Sequence, residues 1–304
     1  MRSTFRAARL AAHAAVALAI TAAAASTLHA QNPQNVWGNA KASGKYADVN
    51  GIKLYYEIHG TGRPLVLLHG GLGAGSMFGS NLTALAKNHL VILVDLQGHG
   101  RTADIDRPMT LEAMSDDIAA LLGYLKVPKA DVVGYSLGGG VALQTAVRHQ
   151  ALVRKLVMVS AVLRSNAYYP DLRAQQLGVN ASIADQMKGT PMYELYMAVA
   201  PRKQDFPRLL DKIGALMKTE FDYSSQFAAL KVPTLFVAAD ADMFAPSHAV
   251  EAFALLDGGK RDGGWDGAGR SKIAQLAILP GVTHYNSFQS PALAVVATQF
   301  LDEK

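Results

Sequence analysis

Asp131-Val-Val-Gly-Tyr-Ser-Leu-Gly-Gly-Gly140 sets a serine, Ser136, between two glycines, Gly134 and Gly138. A β-branched apolar run precedes it, and a helix-like run from Val141 to His149 follows. Strand, tight turn and helix in that order push the serine hydroxyl out of the top of a sheet. A Cβ at either flanking position would collide with the neighbouring strand or helix, so glycine is needed there. In this context the pattern marks a serine nucleophile.

A serine hydroxyl is a poor nucleophile near neutral pH. It needs a base, and the base needs an orienting carboxylate. The order along such a chain is serine, acid, histidine. The histidine is His284 in Leu279-Pro-Gly-Val-Thr-His-Tyr285, just past the last expected strand and so at the same sheet edge as Ser136. His69 and His99 lie in glycine-rich turns before the serine, and His149 closes the helix after it. The favoured acid is Asp242, just past the apolar run Thr234 to Ala238, with Asp240 as its rival. One should orient the imidazole and the other bond the local turn. The run ending at Ser160-Ala161 has no acid at its tip, which removes the other location.

The developing oxyanion needs two preorganised donors. One is the backbone N–H of Leu137, directly after the serine. The other comes from His69-Gly-Gly-Leu-Gly73, where glycine lets the backbone approach a ligand; Gly71 is chosen, with Leu72 as the alternative. A dinucleotide turn fails there, because Ser76 stands where the third glycine of G-x-G-x-x-G belongs. Cysteine is absent, which excludes disulfides, a thiol nucleophile and thiolate metal sites. There is no H-E-x-x-H, and Asp257 to Asp266 lacks the spacing of a calcium loop. Neither metal nor cofactor is expected.

These residues need an alternating frame. Tyr46–Val49 and Ile52–Ile58 predict a hairpin about Asn50-Gly51. Pro64–Leu68, Leu90–Val94, Val132–Gly134, Lys155–Val162, Thr234–Ala238 and Gln275–Leu279 read as buried strands. Leu111–Leu125 and Pro291–Leu301 read as helices. The class is α/β, with a mostly parallel, helix-covered sheet. Arg164 to about Leu230 has no convincing strand and is rich in aromatic residues and methionine. It reads as a helical insertion over the sheet edge, with most of those side chains forming its own core and a few lining a pocket. Gly258–Gly269 reads as a surface loop.

Together the motifs resemble the α/β-hydrolase superfamily over nearly all of the chain past the leader. The matching pieces are His69-Gly70-Gly71, Asp95-Leu-Gln-Gly-His-Gly100, Gly134-Tyr-Ser-Leu-Gly138, Ala239-Asp-Ala-Asp242 and Gly281-Val-Thr-His284. The resemblance implies an eight-stranded, mostly parallel sheet, with a helical lid between the sixth and seventh strands. It also carries the triad roles onto Ser136, Asp242 and His284. It gives a core of residues 45–163 and 231–304 and a lid of 164–230. Asp95 to Arg101 resembles the superfamily's structural turn after the fourth strand. Haloalkane dehalogenases and epoxide hydrolases of this fold carry aspartate at the elbow, so the serine sets both aside. One departure is Ala239, where many relatives have glycine.

The first thirty residues look like a secretory signal: Arg2, Arg6 and Arg9, an apolar run from Ala11 to about Ala25, then small residues up to Ala30. Cleavage after Ala25 is an alternative to cleavage after Ala30. A polar linker, residues 31–44, would follow. The whole chain has 29 basic and 24 acidic residues; without the three leader arginines the excess falls to about two. Nucleic acid is therefore not an expected partner, and no membrane span is expected once the leader is gone.

The expected protein is a periplasmic or secreted carboxylic-ester hydrolase acting on a small-molecule ester. The same site would also suit a lactonase or macrolactone esterase, a perhydrolase, a C–C bond hydrolase or an aminopeptidase. An aminopeptidase would need an acid for the substrate amine, such as Glu194 or Glu220. A charged substrate would draw on Arg164, Arg173, Arg202 or Arg208. A ligand-binding protein without turnover is the reading from another class, and the complete triad argues against it.

Overall fold

The computed structural model describes residues 44–303. The expected signal peptide and the linker up to residue 43 lie outside the described residues. Eight strands form one sheet: β1 (Lys45–Val49), β2 (Ile52–His59), β3 (Arg63–Leu68), β4 (His89–Val94), β5 (Ala130–Tyr135), β6 (Val153–Val159), β7 (Thr234–Ala241) and β8 (Ala274–Thr283). Their order across the sheet is β1-β2-β4-β3-β5-β6-β7-β8. β1 and β2 pair antiparallel, as do β2 and β4. Every other pairing is parallel.

The hairpin turns on Asn50 and Gly51, both at positive φ, 48° and 78°. That geometry matches the right-handed twist of the flanking strands. The central strands carry apolar runs, residues 65–68, 91–94, 132–135 and 156–159, that are buried on both faces, as a helix-covered sheet demands. Each fully buried Val, Leu or Ile contributes roughly 1.5–3 kcal/mol before entropy is charged against it.

Helices α1 (Ser80–Leu85), α2 (Leu111–Tyr124) and α3 (Leu137–Arg148) follow β3, β4 and β5. Four more lie between β6 and β7: α4 (Pro170–Leu177), α5 (Pro191–Val199), α6 (Phe206–Lys218) and α7 (Ser224–Ala228). α8 (Pro246–Leu255) links β7 to β8, and α9 (Pro291–Asp302) ends the fold. Proline opens α4, α5 and α9 and stands in the first turn of α6, where its missing N–H is not needed. α9 ends on a buried lysine: Lys155 Nζ donates to the carbonyls of Phe300 (2.7 Å) and Glu303 (2.6 Å). A cation there satisfies free carbonyls and complements the helix dipole.

β5 (Ala130–Tyr135) and β7 (to Ala241) run longer than expected, and two further differences have a local cause. β6 stops at Val159, three residues early, because Ser160 takes φ 50° and turns the chain. β8 runs on through Pro280 and Gly281 to Thr283. The ladder with β7 shifts register between Ala239 and Ala241. Asp240 fills the break, its carboxylate accepting from the N–H groups of Gly281 (2.8 Å) and Val282 (3.2 Å). Trp265, in the glycine-rich stretch before β8, is fully exposed. Among the described residues no helix is long and apolar enough to cross a membrane.

Candidate active site

β5 delivers Ser136 into a sharp turn at φ 53°, ψ −117°, and α3 starts at the next residue. This is a costly backbone for a residue with a Cβ. The neighbours leave no room to relax it. A Cβ on Gly134 would sit 2.0 Å from the Gly138 carbonyl oxygen, and one on Gly138 2.5 Å from the carbonyl oxygens of His69 and Leu68. The Ser136 N–H donates to Val159 O at 2.9 Å, and its own carbonyl accepts from Gly139 (2.9 Å) and Gly140 (3.1 Å).

His284 lies just past the end of β8, and its ring bridges two groups. Nδ1 is 2.7 Å from Asp242 Oδ1, and Nε2 is 3.0 Å from Ser136 Oγ. An ionised carboxylate only accepts, so Nδ1 carries the proton and donates to Asp242. Nε2 is then the acceptor facing the serine hydroxyl. Asp242 and His284 are both buried, and Ser136 is partly exposed.

Asp242 has three N–H donors. Besides His284, Met243 N–H reaches Oδ1 at 2.8 Å and Ala239 N–H reaches Oδ2 at 3.0 Å. Burial works against its charge, but the hydrogen bond and charge of His284, with help from the Ala239 N–H, outweigh it and hold the carboxyl below its usual range. Asp240 faces Gly281 and Val282 instead, away from the imidazole.

The loop after β3 arches beside the serine. A Cβ on Gly71 would lie 3.9 Å from Leu137 Cβ, so the two chosen N–H positions are adjacent. Among the described residues, neither the Gly71 nor the Leu137 N–H has a protein acceptor. Leu137 opens α3, whose dipole favours negative charge at that end. Leu72, the alternative, sits at φ 57°.

Two bonds pin this loop to the tip of β4, and a third, within the loop, sets the tautomer of His69. His69 Nδ1 donates to Gly70 O (2.7 Å), its Nε2 accepts from Leu96 N–H (3.0 Å), and Asp95 Oδ1 accepts from Gly75 N–H (2.7 Å). The turn Asp95 to Arg101 is thus joined to the loop through two of its residues. Burial pushes His69 down to about 4 and His99, which also faces His69, to about 3. Burial lifts Asp95 to about 6, against the N–H donors of Gly75 and Arg101.

These shifts set an acid limit on stability. As pH falls below 6.5 an unfolded chain protonates both histidines, whereas the folded chain does so only near 4 and 3. The unfolded state binds more protons in that window, so stability falls as pH drops from 6.5 toward 4. Asp95 opposes one of the two, since folded it already takes its proton near 6. The net expectation is a loss of about 1 kcal/mol per pH unit. Urea midpoints at pH 7, 6 and 5 should fall in that order; a constant or rising midpoint would contradict this account of the buried pair.

α6 covers the loop and the turn. Phe206, Leu209, Leu210 and Ile213 form its buried stripe. Ile213 Cδ1 would be 4.0 Å from a Cβ on Gly71, and Leu209 Cδ1 3.4 Å from one on Gly98. The opposite side is fastened by charge: Arg208 (2.6 Å) and Lys212 (2.7 Å) both reach Asp104, which is buried. Burial raises the cost of that carboxylate, and the bonds from Lys212, Gln97 and Arg208 overcome it. Asp104 carries no local mark in the sequence, because its basic partners lie about a hundred residues further along the chain.

The four arginines considered for a charged substrate all have acidic partners. They are Glu251 for Arg164, Glu220 for Arg173, Asp205 for Arg202 and Asp104 for Arg208. Glu220 is therefore paired, and Glu194 is exposed on α5.

The family model described as alpha/beta hydrolase fold matches residues 63–195. A protein named "Putative carbamate hydrolase RutD" from Azorhizobium caulinodans is 31% identical over 223 residues, spanning 67% of this chain and 82% of that protein. The chain belongs to the alpha/beta hydrolase family. Other relatives of this alpha/beta hydrolase include "AB hydrolase superfamily protein YisY" of Bacillus subtilis, 29% identical over 64% of this chain and 80% of that protein. Among solved structures, an alpha/beta hydrolase enzyme from a Medee basin deep-sea metagenome library superposes with a TM-score of 0.68 at 20% identity, covering 86% of this chain and 98% of that one. The enol-lactonase of Burkholderia xenovorans LB400 gives 0.63 at 24%, covering 85% and 100%. At these identities the superpositions speak for the fold alone. The chain is a hydrolase with an eight-stranded, mostly parallel sheet.

Proposed function

We propose that this hydrolase is a serine esterase that cleaves carboxylic esters through Ser136, His284 and Asp242. The observation that carries the reading is the single hydrogen-bonded line from Asp242 Oδ1 through His284 to Ser136 Oγ, at 2.7 and 3.0 Å. His284 Nε2 takes the hydroxyl proton as Ser136 Oγ attacks the ester carbonyl carbon. The carbonyl oxygen becomes an oxyanion between the N–H groups of Gly71 and Leu137, at the positive end of α3. His284 passes its proton to the leaving alkoxide, and the C–O bond breaks, leaving an acyl-serine. Water then adds to the acyl carbon, giving a proton to His284, which returns it to Ser136 Oγ as the acid leaves. Asp242 stays ionised and holds the imidazole in the required tautomer.

α4 to α7 act as a lid whose apolar stripe on α6 faces the scissile centre. With the four arginines and Glu220 engaged elsewhere, the substrate is an uncharged ester. The leader of the first thirty residues exports the protein to the periplasm or beyond.

A second reading has one specific support, the name of the relative from Azorhizobium caulinodans. A carbamate carbonyl suits the same nucleophile and oxyanion donors. The mature protein is assayed on p-nitrophenyl acetate, butyrate and octanoate beside phenyl carbamate. Saturable turnover of the esters, with the carbamate poorer in kcat/KM, is the expected result. Turnover of the carbamate alone would replace the esterase reading with the second.

A further inference from the structure

The main-chain carbonyl of His284 is held by two buried hydroxyls. The Tyr135 phenol donates to it at 2.7 Å and the Ser287 hydroxyl at 3.3 Å. Tyr135 is the residue immediately before Ser136 and is buried. Its ring centroid lies 5.3 Å from that of His284 and 4.8 Å from that of Phe288. A Cβ on Gly70 would be 2.6 Å from Tyr135 Cε1, so the loop that carries Gly71 also rests on this ring. One side chain touches the serine turn, the loop after β3 and the His284 loop.

A pair of serines extends the contact. Ser160 Oγ is 3.0 Å from Ser287 Oγ. Ser160 is the donor of this contact, since the Ser287 proton goes to the His284 carbonyl. Its backbone sits at φ 50°, a region few residues other than glycine enter. Strain of this kind persists where the surroundings over-determine it, and it gathers at functional sites. Ser160 and Ser287 are both almost fully buried.

We propose that Tyr135, backed by the Ser160–Ser287 pair, is the positioning residue that fixes His284 between Asp242 and Ser136. This rests on the triad reading given above. Asp242 holds the ring at one atom, about which the imidazole could still pivot. The carbonyl anchor fixes the backbone end, and two fixed points define the direction of Nε2. Burial, with the Asp242 charge nearby, pushes the phenol well up, so it remains a donor at neutral pH.

Tyr135→Phe keeps the ring and its packing and deletes only the donor. Its kcat on p-nitrophenyl butyrate should fall about 10- to 100-fold, because small misplacements of a reacting group carry costs of that size. KM should stay within about twofold, since the substrate contacts are untouched. Phosphonylation of Ser136 by a fluorophosphonate should slow by the same factor as kcat. Thermal unfolding reports whether the variant is folded, and a purely structural role would lower stability without moving kcat per labelled site. Ser287→Ala removes the longer bond and should cost less than Tyr135→Phe. Ser160→Ala combined with Ser287→Ala should lower kcat in the same pattern, and decides the matter if Tyr135→Phe does not fold. Parental kcat in folded Tyr135→Phe, or in the serine pair should that variant unfold, overturns the proposal, while loss of turnover in Ser136→Ala would leave the triad reading standing. Full activity in Ser136→Ala would overturn both.

Discussion

Ser136→Ala should lower kcat on p-nitrophenyl butyrate by about 10⁵- to 10⁶-fold, the scale seen when a serine nucleophile is deleted. The fold should survive. The Ser136 hydroxyl is 3.0 Å from His284 Nε2 and holds up nothing else, while the turn itself is held by backbone bonds from Ser136 to Val159, Gly139 and Gly140. Alanine keeps the Cβ and all three of those bonds. Stability should therefore be unchanged or slightly higher, as is common where a site is strained for function. Steady-state rates with an unfolding curve on the same preparation check both halves. Activity within tenfold of the parent would remove Ser136 from the chemistry.

Asp242→Asn should cost about 10⁴-fold in kcat, through the tautomer of the base. The carboxylate now accepts from His284 on Oδ1, with Met243 on the same oxygen, and from Ala239 on Oδ2. An amide must turn one NH₂ toward one of these donors. Either way the NH₂ meets a backbone N–H, that of Ala239 on one side or that of Met243 on the other. Facing His284 it becomes a donor to Nδ1, so the ring proton moves to Nε2. An Nε2–H cannot take the proton of Ser136. Asp240→Asn, by contrast, should change kcat little, because Asp240 serves the β7–β8 register break through Gly281 and Val282. The ratio of the two effects distinguishes these acids. Equal losses would mean that the imidazole is oriented by something other than Asp242.

The parts of the site that a sequence displays are the locally encoded ones. Gly134 and Gly138 advertise the serine turn because steric demand is written into neighbouring residues. The alternation of apolar runs and helices gives the parallel sheet for the same reason. The structure brings Ser136, Asp242 and His284 together from three such local signals, each at the end of a strand. Partners separated by long stretches of chain leave no comparable mark. Tyr135 reaches a carbonyl 149 residues away, and Arg208 reaches Asp104 across 104. Neither spacing has a period or a motif. Ser160 was visible only as the lack of an acid at the tip of β6, though its φ of 50° and its hydroxyl contacts make it part of the frame. β8 ran past its expected end because an Asp240 carboxylate stands in for a backbone partner, which no propensity scale records.

The most direct test is covalent capture. The mature protein is incubated with a fluorophosphonate, weighed intact and mapped by peptide mass. One phosphonyl group on Ser136 is predicted, absent from Ser136→Ala and formed far more slowly in a His284→Ala variant. Esterase turnover in a protein that takes no label, or that takes it at another residue, would contradict the account.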